Sequence, residues 1–333
     1  MKATVIGSGS FGTACGTALC INCDEVMLWG REPQTTQAIN ERHENPRYLP
    51  GIPLPEKMRA TTNLEEALRG TGLVLVALPS HATREVMKRA CDFIPPRTPV
   101  CTVAKGIEND TLLTMTEVLE SCLPEDYHPY LAILSGPSFA KEMVRRMPTV
   151  VTVASNWERI ATKVQRALQT DTFRVYTSKD VVGVQYGGAL KNVIAIAAGI
   201  ADGMGLGHNA RAALITRGLA EITRAAVRAG ANPLTLSGLS GMGDLVLTCT
   251  SDLSRNRTVG FQLGQGKTLQ EILGGMTQVA EGVRTAKSAR DLSKKLGVEM
   301  PICDQVYAIT HEGKDPRKAV VELMTRSPKP ELL

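Results

Sequence analysis

A lysine sits where an apolar helix should have none. The segment 187–203, GGALKNVIAIAAGIADG, is almost wholly small or aliphatic, yet Lys191 and Asn192 interrupt it. Burying an ammonium without a partner costs several kcal/mol, on the order of the net stability of a domain. Lys191 is therefore either a side chain that snorkels from a helix edge to water or a cation kept for chemistry. Its helical neighbours Gly187, Gly188, Ile194, Ala195 and Ala198 have little bulk, so something flat and large could lie against it. Asn192 falls on the adjacent stripe with Gln185 and Gly188.

Three further places carry polar groups suited to binding or catalysis. Lys105 follows the apolar run PVCTVA (99–104) and precedes Gly106, which puts it at the carboxyl edge of a strand. Ligands of open α/β sheets bind at that edge, although a strand-end lysine can also be merely solvated. SGMGDLVLTC (240–249) reads as a polar loop that sets Asp244 between glycines and an apolar run, and SRNRTVG (254–260) reads as a polar turn. Arg255 there could hold a phosphate bidentately, with Ser254 and Asn256 as further donors; a solvated basic loop is the plainer alternative.

The N-terminus supplies a second ligand signal. GSGSFG (7–12) follows the strand-like ATVI and opens a helical pattern. It fits G-x-G-x-x-G: Gly7 for the tight turn, Gly9 for close approach of a pyrophosphate, and Gly12 for helix-on-strand packing. The helix N-terminus then offers free N–H groups to the phosphates. At the end of the next strand an acid would select NAD through its ribose hydroxyls, whereas arginine accommodates a 2′-phosphate. The chain has Trp29-Gly30-Arg31-Glu32, which favours NADP(H) without excluding NAD(H).

These groups need a scaffold, and the hydrophobic pattern describes one. ATVI (3–6), EVMLW (25–29), LVLVAL (73–78), PVCTVA (99–104), YLAIL (130–134), TVVTVA (149–154) and FRVY (173–176) read as strands. Helical patterns such as 81–93 and 156–168 lie between them. The alternation predicts an α/β fold whose first domain, residues 1–180, is a Rossmann-type, doubly wound, mostly parallel sheet. From residue 181 strand signals vanish, and 181–201, 209–230, 269–273, 282–296 and 302–312 read as helices. An all-α C-terminal domain, 181–333, is expected to share a cleft with the first.

Composition narrows the function classes. The 333 residues are 43% hydrophobic, enough for two cores, and carry a net charge of +5. Only 4% are aromatic and there is no dense Lys/Arg run, so no nucleic-acid partner is expected. The longest apolar run, 193–201, is too short to span a bilayer, and MKATVIGSGS is not a signal peptide. Eight cysteines without a small secreted framework point to reduced thiols in a cytoplasm. Cys15, Cys20 and Cys23 share an iron–sulfur-like spacing, but their place in a packed helix after the glycine loop argues for no metal.

Seven segments now fall into one order: GSGSFGTA (7–14), VAKGIE (103–108), SGPSFAKE (135–142), GALKN (188–192), SGMGDL (240–245), SRNR (254–257) and VAEGVRT (279–285). Together they resemble bacterial NAD(P)-dependent sn-glycerol-3-phosphate dehydrogenases, from the first residue to about residue 310. The resemblance implies that Lys191 is the proton-transfer residue. Lys105, Gly136, Ser138, Asp244, Ser254, Arg255 and Asn256 would surround the substrate with it. Ser10, Phe11, Arg31, Lys105, Ala140, Arg255, Val279 and Glu281 would join the glycine loop in holding the dinucleotide. It further implies a cytoplasmic homodimer that reduces dihydroxyacetone phosphate to glycerol 3-phosphate for phospholipid synthesis.

The opening question then has a chemical answer. Hydride addition to a ketone builds charge on its oxygen, which a nearby ammonium stabilises and protonates. Burial and a second cation at Lys105 would both depress the pKa of Lys191, and a substrate phosphate would make the clustered cations tolerable. Two rivals remain at this stage. A reductase of another small acid, such as ketopantoate or a 3-hydroxyacid, shares the plan and the helix lysine, but SRNR after SGMGDL argues against it. A non-catalytic dinucleotide sensor needs the glycine loop but neither Lys191 nor Asp244.

Overall fold

The computed structural model describes residues 1–276 and 280–331. Its first part contains β1 (Lys2–Ile6), β2 (Glu25–Trp29), β3 (Glu44–Asn45), β4 (Leu49–Pro53), β5 (Met58–Thr61) and β6 (Val74–Val76). β7 (Val100–Thr102), β8 (Leu131–Ser135), β9 (Thr149–Ala154) and β10 (Phe173–Ser178) follow. Between them run α1 (Ser10–Asn22), α2 (Pro33–Arg42), α3 (Leu64–Leu68), α4 (Ser80–Ala90), α5 (Met115–Glu120), α6 (Ala140–Val144) and α7 (Glu158–Leu168).

All these strands except the β3–β4 pair form one eight-stranded sheet, ordered β10-β9-β8-β7-β6-β1-β2-β5. Every neighbouring pair in it is parallel except β8–β9. From β5 to β8 this is the doubly wound order, which reverses between β1 and β6 and leaves a crevice there. Alternating side chains feed two cores. Ala3 and Val5 join Cys15 and Leu19 of α1 and Val164 of α7 on one face. Ile6, Val74 and Val76 join Val86 and Met87 of α4 and Leu119 of α5 on the other.

The strands expected from the pattern are present, with ends shifted by a residue or two. β3, β4 and β5 were not expected: β3 and β4 are polar or proline-bearing, and β5, although it alternates, is only four residues with no apolar run to mark it. Cys15, Cys20 and Cys23 are free thiols in the core rather than a ligand set. Among the described residues no three His, Cys, Asp or Glu side chains are grouped to hold a metal.

The second part is helical: α8 (Val181–Gly203), α9 (Gly207–Arg228), α10 (Pro233–Leu236), α11 (Asp244–Thr250) and α12 (Arg255–Gly264), then α13 (Leu269–Gly274), α14 (Glu281–Leu296), α15 (Pro301–His311) and α16 (Pro316–Met324). The division proposed at residue 180 falls in the turn between Ser178 and Val181. There Asp180 caps α8, accepting from the Gly183 N–H at 2.8 Å and, through its other oxygen, from that of Asn232 at 3.0 Å.

α8 is the axis of this part. At 23 residues it is long and apolar enough to cross a membrane, more than its uninterrupted run suggested, yet 89% of its most apolar window is buried inside the fold. Its small residues let other backbone approach. A Cβ on Gly199 would stand 2.1 Å from the Arg257 carbonyl oxygen, and one on Gly203 2.1 Å from that of Phe261. Facing them, Gly260 and Gly264 of α12 would meet the carbonyls of Ile196 and Ile200 at 2.0 and 2.3 Å. Two glycines four apart on each helix thus press α8 and α12 together, and that contact fixes where α12 begins.

Candidate active site

Lys191 does not snorkel. It is 6% exposed, and its Nζ donates to Asp244 Oδ1 at 2.5 Å and to the Thr248 hydroxyl at 2.7 Å. Asp244 is 1% exposed and its other oxygen accepts from Lys105 Nζ at 2.6 Å. Lys105 also donates to the Gly136 carbonyl at 2.9 Å and stands 6.0 Å from the centre of the Phe11 ring. The partner missing from the sequence reading of Lys191 is therefore Asp244, a single carboxylate holding two ammonium groups.

The local elements explain this convergence. SGMGDL is not a loop: a π-helical turn, Leu239–Gly243, runs directly into α11, so Asp244 points from the start of a helix. Thr248 follows four residues later on the same face, and its hydroxyl donates to the Asp244 carbonyl at 2.6 Å, leaving its lone pairs to Lys191. The glycines beside Lys191 do not hold space for a flat ligand. A Cβ on Gly187 would strike the Ser240 carbonyl oxygen at 2.4 Å, and one on Gly188 the Ser135 hydroxyl at 2.6 Å. They admit the π-turn and the end of β8, and so bring Asp244 and Lys105 within reach.

The electrostatics follow from burial and pairing. Burial lowers the pKa of Lys191 from an ordinary 10.5 to about 8; Asp244 opposes that shift and Lys105 adds to it. Burial pushes Asp244 upward, but Lys105 and Lys191 together overcome it and hold the carboxyl below its usual range. Two cations against one anion leave this end of the cleft positive. An ammonium has three donors, and the protein takes two from Lys191, leaving the third for a ligand oxygen.

A relay of amides surrounds this cluster. Asn192 donates to the Lys105 carbonyl at 3.3 Å and accepts from Asn256 Nδ2 at 2.9 Å, while Asn256 Oδ1 accepts from the Gly282 N–H at 2.9 Å. SRNR is not a turn but the start of α12: the buried Ser254 hydroxyl oxygen caps it by accepting from the Arg257 N–H at 3.2 Å. Arg257 is anchored on Asp202 and Asp252, whereas Arg255, the first residue of the helix, is exposed. Ser254 and Asn256 thus position the corner, and Arg255 is its outward cation. Gly136 has φ +139° beside β9, and the Ser138 hydroxyl donates to the Gly136 carbonyl at 2.9 Å.

The dinucleotide side is built at the sheet crevice. Gly7 has φ +122°, and a Cβ there would strike the Ala77 carbonyl oxygen at 2.3 Å. A Cβ on Gly12 would strike that of Gly7 at 2.0 Å, whereas a Cβ on Gly9 meets nothing within 4 Å. The loop is shut on the protein side and open above Gly9, which fits a pyrophosphate. Ser10 donates to the Tyr48 carbonyl at 2.9 Å, and Ala140 opens α6. The Glu281 carboxylate accepts from the Ser80 N–H and hydroxyl at 3.2 and 2.7 Å, tying α14 to α4. Val279 lies outside the described residues.

Sequence reasoning missed Thr248, although its spacing of four from Asp244 would have shown it once a helix was recognised. It also missed Ser80, whose partner is 201 residues away, and no local signal links the two.

Fold and glycine loop together define a Rossmann-type nicotinamide-dependent oxidoreductase, with a buried cationic cluster where the sheet meets the helices. The family models described as NAD-dependent glycerol-3-phosphate dehydrogenase N-terminus and C-terminus match residues 2–161 and 180–321. The chain belongs to that family, and it is an enzyme that uses NAD(H) or NADP(H). It is 69% identical to the glycerol-3-phosphate dehydrogenase [NAD(P)+] of Myxococcus xanthus over 332 residues, covering 100% of this chain and 99% of that one. It is 59% identical to that of Anaeromyxobacter dehalogenans, over 100% of both chains. The crystal structure of the Coxiella burnetii glycerol-3-phosphate dehydrogenase superposes with a TM-score of 0.92 at 39% identity, covering 98% of this chain and 99% of that one.

Proposed function

We propose that the chain interconverts dihydroxyacetone phosphate and sn-glycerol 3-phosphate, with Lys191 as the group that moves the proton. The observation that carries this reading is the buried Lys191–Asp244–Lys105 cluster between the glycine loop and the first turn of α12. When bound, the nicotinamide supplies the hydride for ketone reduction and takes it back in the reverse direction. Lys191 directs its free N–H at the carbonyl oxygen, stabilises the charge developing there and gives up its proton to form the hydroxyl. In the oxidation direction the neutral amine takes the hydroxyl proton.

Asp244 and Thr248 fix the ammonium in place, and Asp244 sets how readily it lets the proton go. Arg255, which feels the Glu281 carboxylate but forms no ion pair among the described residues, faces the phosphate, and the net positive cluster favours the anionic substrate over neutral dihydroxyacetone. Gly136 and Ser138 line the wall beside Lys105. The same reading makes the protein a cytoplasmic homodimer that supplies glycerol 3-phosphate for phospholipid synthesis. Free thiols at Cys15, Cys20, Cys23, Cys91, Cys101, Cys122, Cys249 and Cys303 agree with a reducing compartment.

The test is turnover of dihydroxyacetone phosphate by purified protein, followed by loss of reduced-nicotinamide absorbance with NADPH and with NADH. Oxidation of both cofactors only when the ketone phosphate is added is the expected result. Turnover of ketopantoate in its place would reassign the substrate, and cofactor binding without turnover of either would leave a sensor.

A further inference from the structure

We propose that Arg284 and His81 complete, with Arg31, a pocket of basic side chains for the 2′-phosphate of NADP(H), so that both domains read the cofactor. The inference deepens the function proposed above, since it concerns the coenzyme of that reaction.

Arg31 follows Gly30 at the end of β2, where sheets of this order meet the adenosine ribose. Its side chain is exposed, and among the described residues it has no ion-pair or hydrogen-bond partner. The neighbouring acid is engaged elsewhere. Glu32 Oε2 takes Arg47 at 2.7 Å and the Thr35 hydroxyl at 3.2 Å. A carboxylate held in that way is turned toward α2 and Arg47 rather than offered to a pair of ribose hydroxyls. The strand end therefore presents a guanidinium unpaired among the described residues, while its acid is already paired through one oxygen.

The second wall comes from across β1. β6 lies on the other side of β1 from β2, and His81 stands in the first turn of α4, which follows it. The two bonds from Ser80 to Glu281 seat the first turn of α14 on that same turn. Arg284 lies three residues beyond Glu281, on the same side of α14 and exposed. Among the described residues it has no ion-pair partner either. His81 registers the company it keeps: burial first, then Arg284 and Arg31, lower its pKa against the opposite pull of Glu281.

Basic side chains from three elements thus meet at this end of the crevice, and the acids beside them are engaged, Glu281 with Ser80 and Glu32 with Arg47. The two guanidiniums repel one another and hold His81 toward its neutral form until a counter-charge arrives, when the imidazole can gain a proton and join them. A phosphate monoester carried on the adenosine ribose meets that need, and NADH lacks it.

The experiment titrates the protein with NADPH and NADH without substrate, following the fluorescence of the reduced nicotinamide. The 2′-phosphate is probed separately by competition with 2′,5′-ADP and with 5′-ADP. Arg284→Gln is expected to weaken NADPH and 2′,5′-ADP roughly tenfold or more, the worth of one charge-assisted pair. NADH and 5′-ADP should be little changed, and Arg284→Lys should recover part of the loss. Arg31→Ala should show the same selectivity. Equal losses with both cofactors, or unaltered NADPH binding in Arg284→Gln, would overturn the proposal. If Arg284→Gln does not fold, the Arg284→Lys ratio of 2′,5′-ADP to 5′-ADP affinity decides, an unchanged ratio counting against it. Because no ketone is present, failure to turn over dihydroxyacetone phosphate would sink the functional reading while leaving this result intact.

Discussion

The cleft contains two kinds of cation, and they are handled in opposite ways. Lys191 and Lys105 are drawn inside and share the carboxylate of Asp244. Arg255, Arg31 and Arg284 stay exposed. A buried ammonium left alone would cost more than the fold can spare, so the chain provides its anion in advance and fixes its position and acidity together. An exposed guanidinium loses little by waiting and gains its partner only when a phosphate arrives. The first kind is suited to moving a proton and the second to recognising a ligand.

Removing the inner cation should produce the largest effect. Lys191→Ala is expected to lower kcat for ketone reduction by about 10²–10⁴-fold, the usual worth of one positioned acid–base group. Cofactor binding should be little changed, and the melting temperature should hold or rise, because Asp244 keeps Lys105 as its partner. Wild-type turnover in this variant would make Lys191 structural and dissolve the distinction drawn above.

Removing the shared anion tests the same idea from the other side. Asp244→Asn leaves two buried ammonium groups facing each other, which should destabilise the protein by about 3–5 kcal/mol, as for other broken buried pairs. With its anion gone, the pKa of Lys191 should fall further, and the pH profile of ketone reduction should move to lower pH. Chemical denaturation and a rate–pH series would measure the two effects, and a variant as stable as wild type would show that the carboxylate is not needed to hold the lysines.

An outer cation should behave differently. Arg255→Ala is expected to raise KM for dihydroxyacetone phosphate roughly tenfold or more, consistent with one lost charge-assisted pair. Activity on unphosphorylated dihydroxyacetone at saturating cofactor should be nearly unchanged. A proportional loss on both substrates would place Arg255 on the cofactor or in the fold instead.

The last effect is read from stability alone. The folded pKa of Lys191, about 8, lies below its ordinary 10.5, so between those values the unfolded chain binds the extra proton. Stability from this group should rise as pH increases from about 8 towards 10.5 and be flat below that window. In denaturant titrations across this range Lys191→Met should lose that rise. An identical slope in wild type and variant would mean that the ammonium is not held under the strain of burial described here.

Much of this was legible in the sequence, and what was not has a physical reason. The apolar runs located the main strands because a sheet covered on both faces demands them, and Lys191 was found because it violated its surroundings. The β3–β4 hairpin and β5 carry no such run. SRNR was read as a turn because its polar first residues mask a helix start, where the signal is only the capping Ser254. The glycines beside Lys191 suggested room for a ligand, whereas backbone and Ser135 fill it. Asp244 stood among the expected substrate contacts, but its service to both lysines joins residues 53 and 139 positions away, and no local pattern encodes that.

α8 has one more consequence, which concerns how the chain can be taken apart. Its first half also grips the sheet-bearing part: Gln185 accepts from the Thr116 N–H at 2.8 Å and donates to the Thr116 hydroxyl at 2.9 Å, and Gly188 rests on Ser135. Its second half is the core of the helices. A chimera joined in the short turn before Val181 would take α8 from one parent and the surfaces that grip it from another. Such a graft would have to carry Thr116, Ser135 and the end of β7 along with the helices, so the exchangeable unit is larger than either domain.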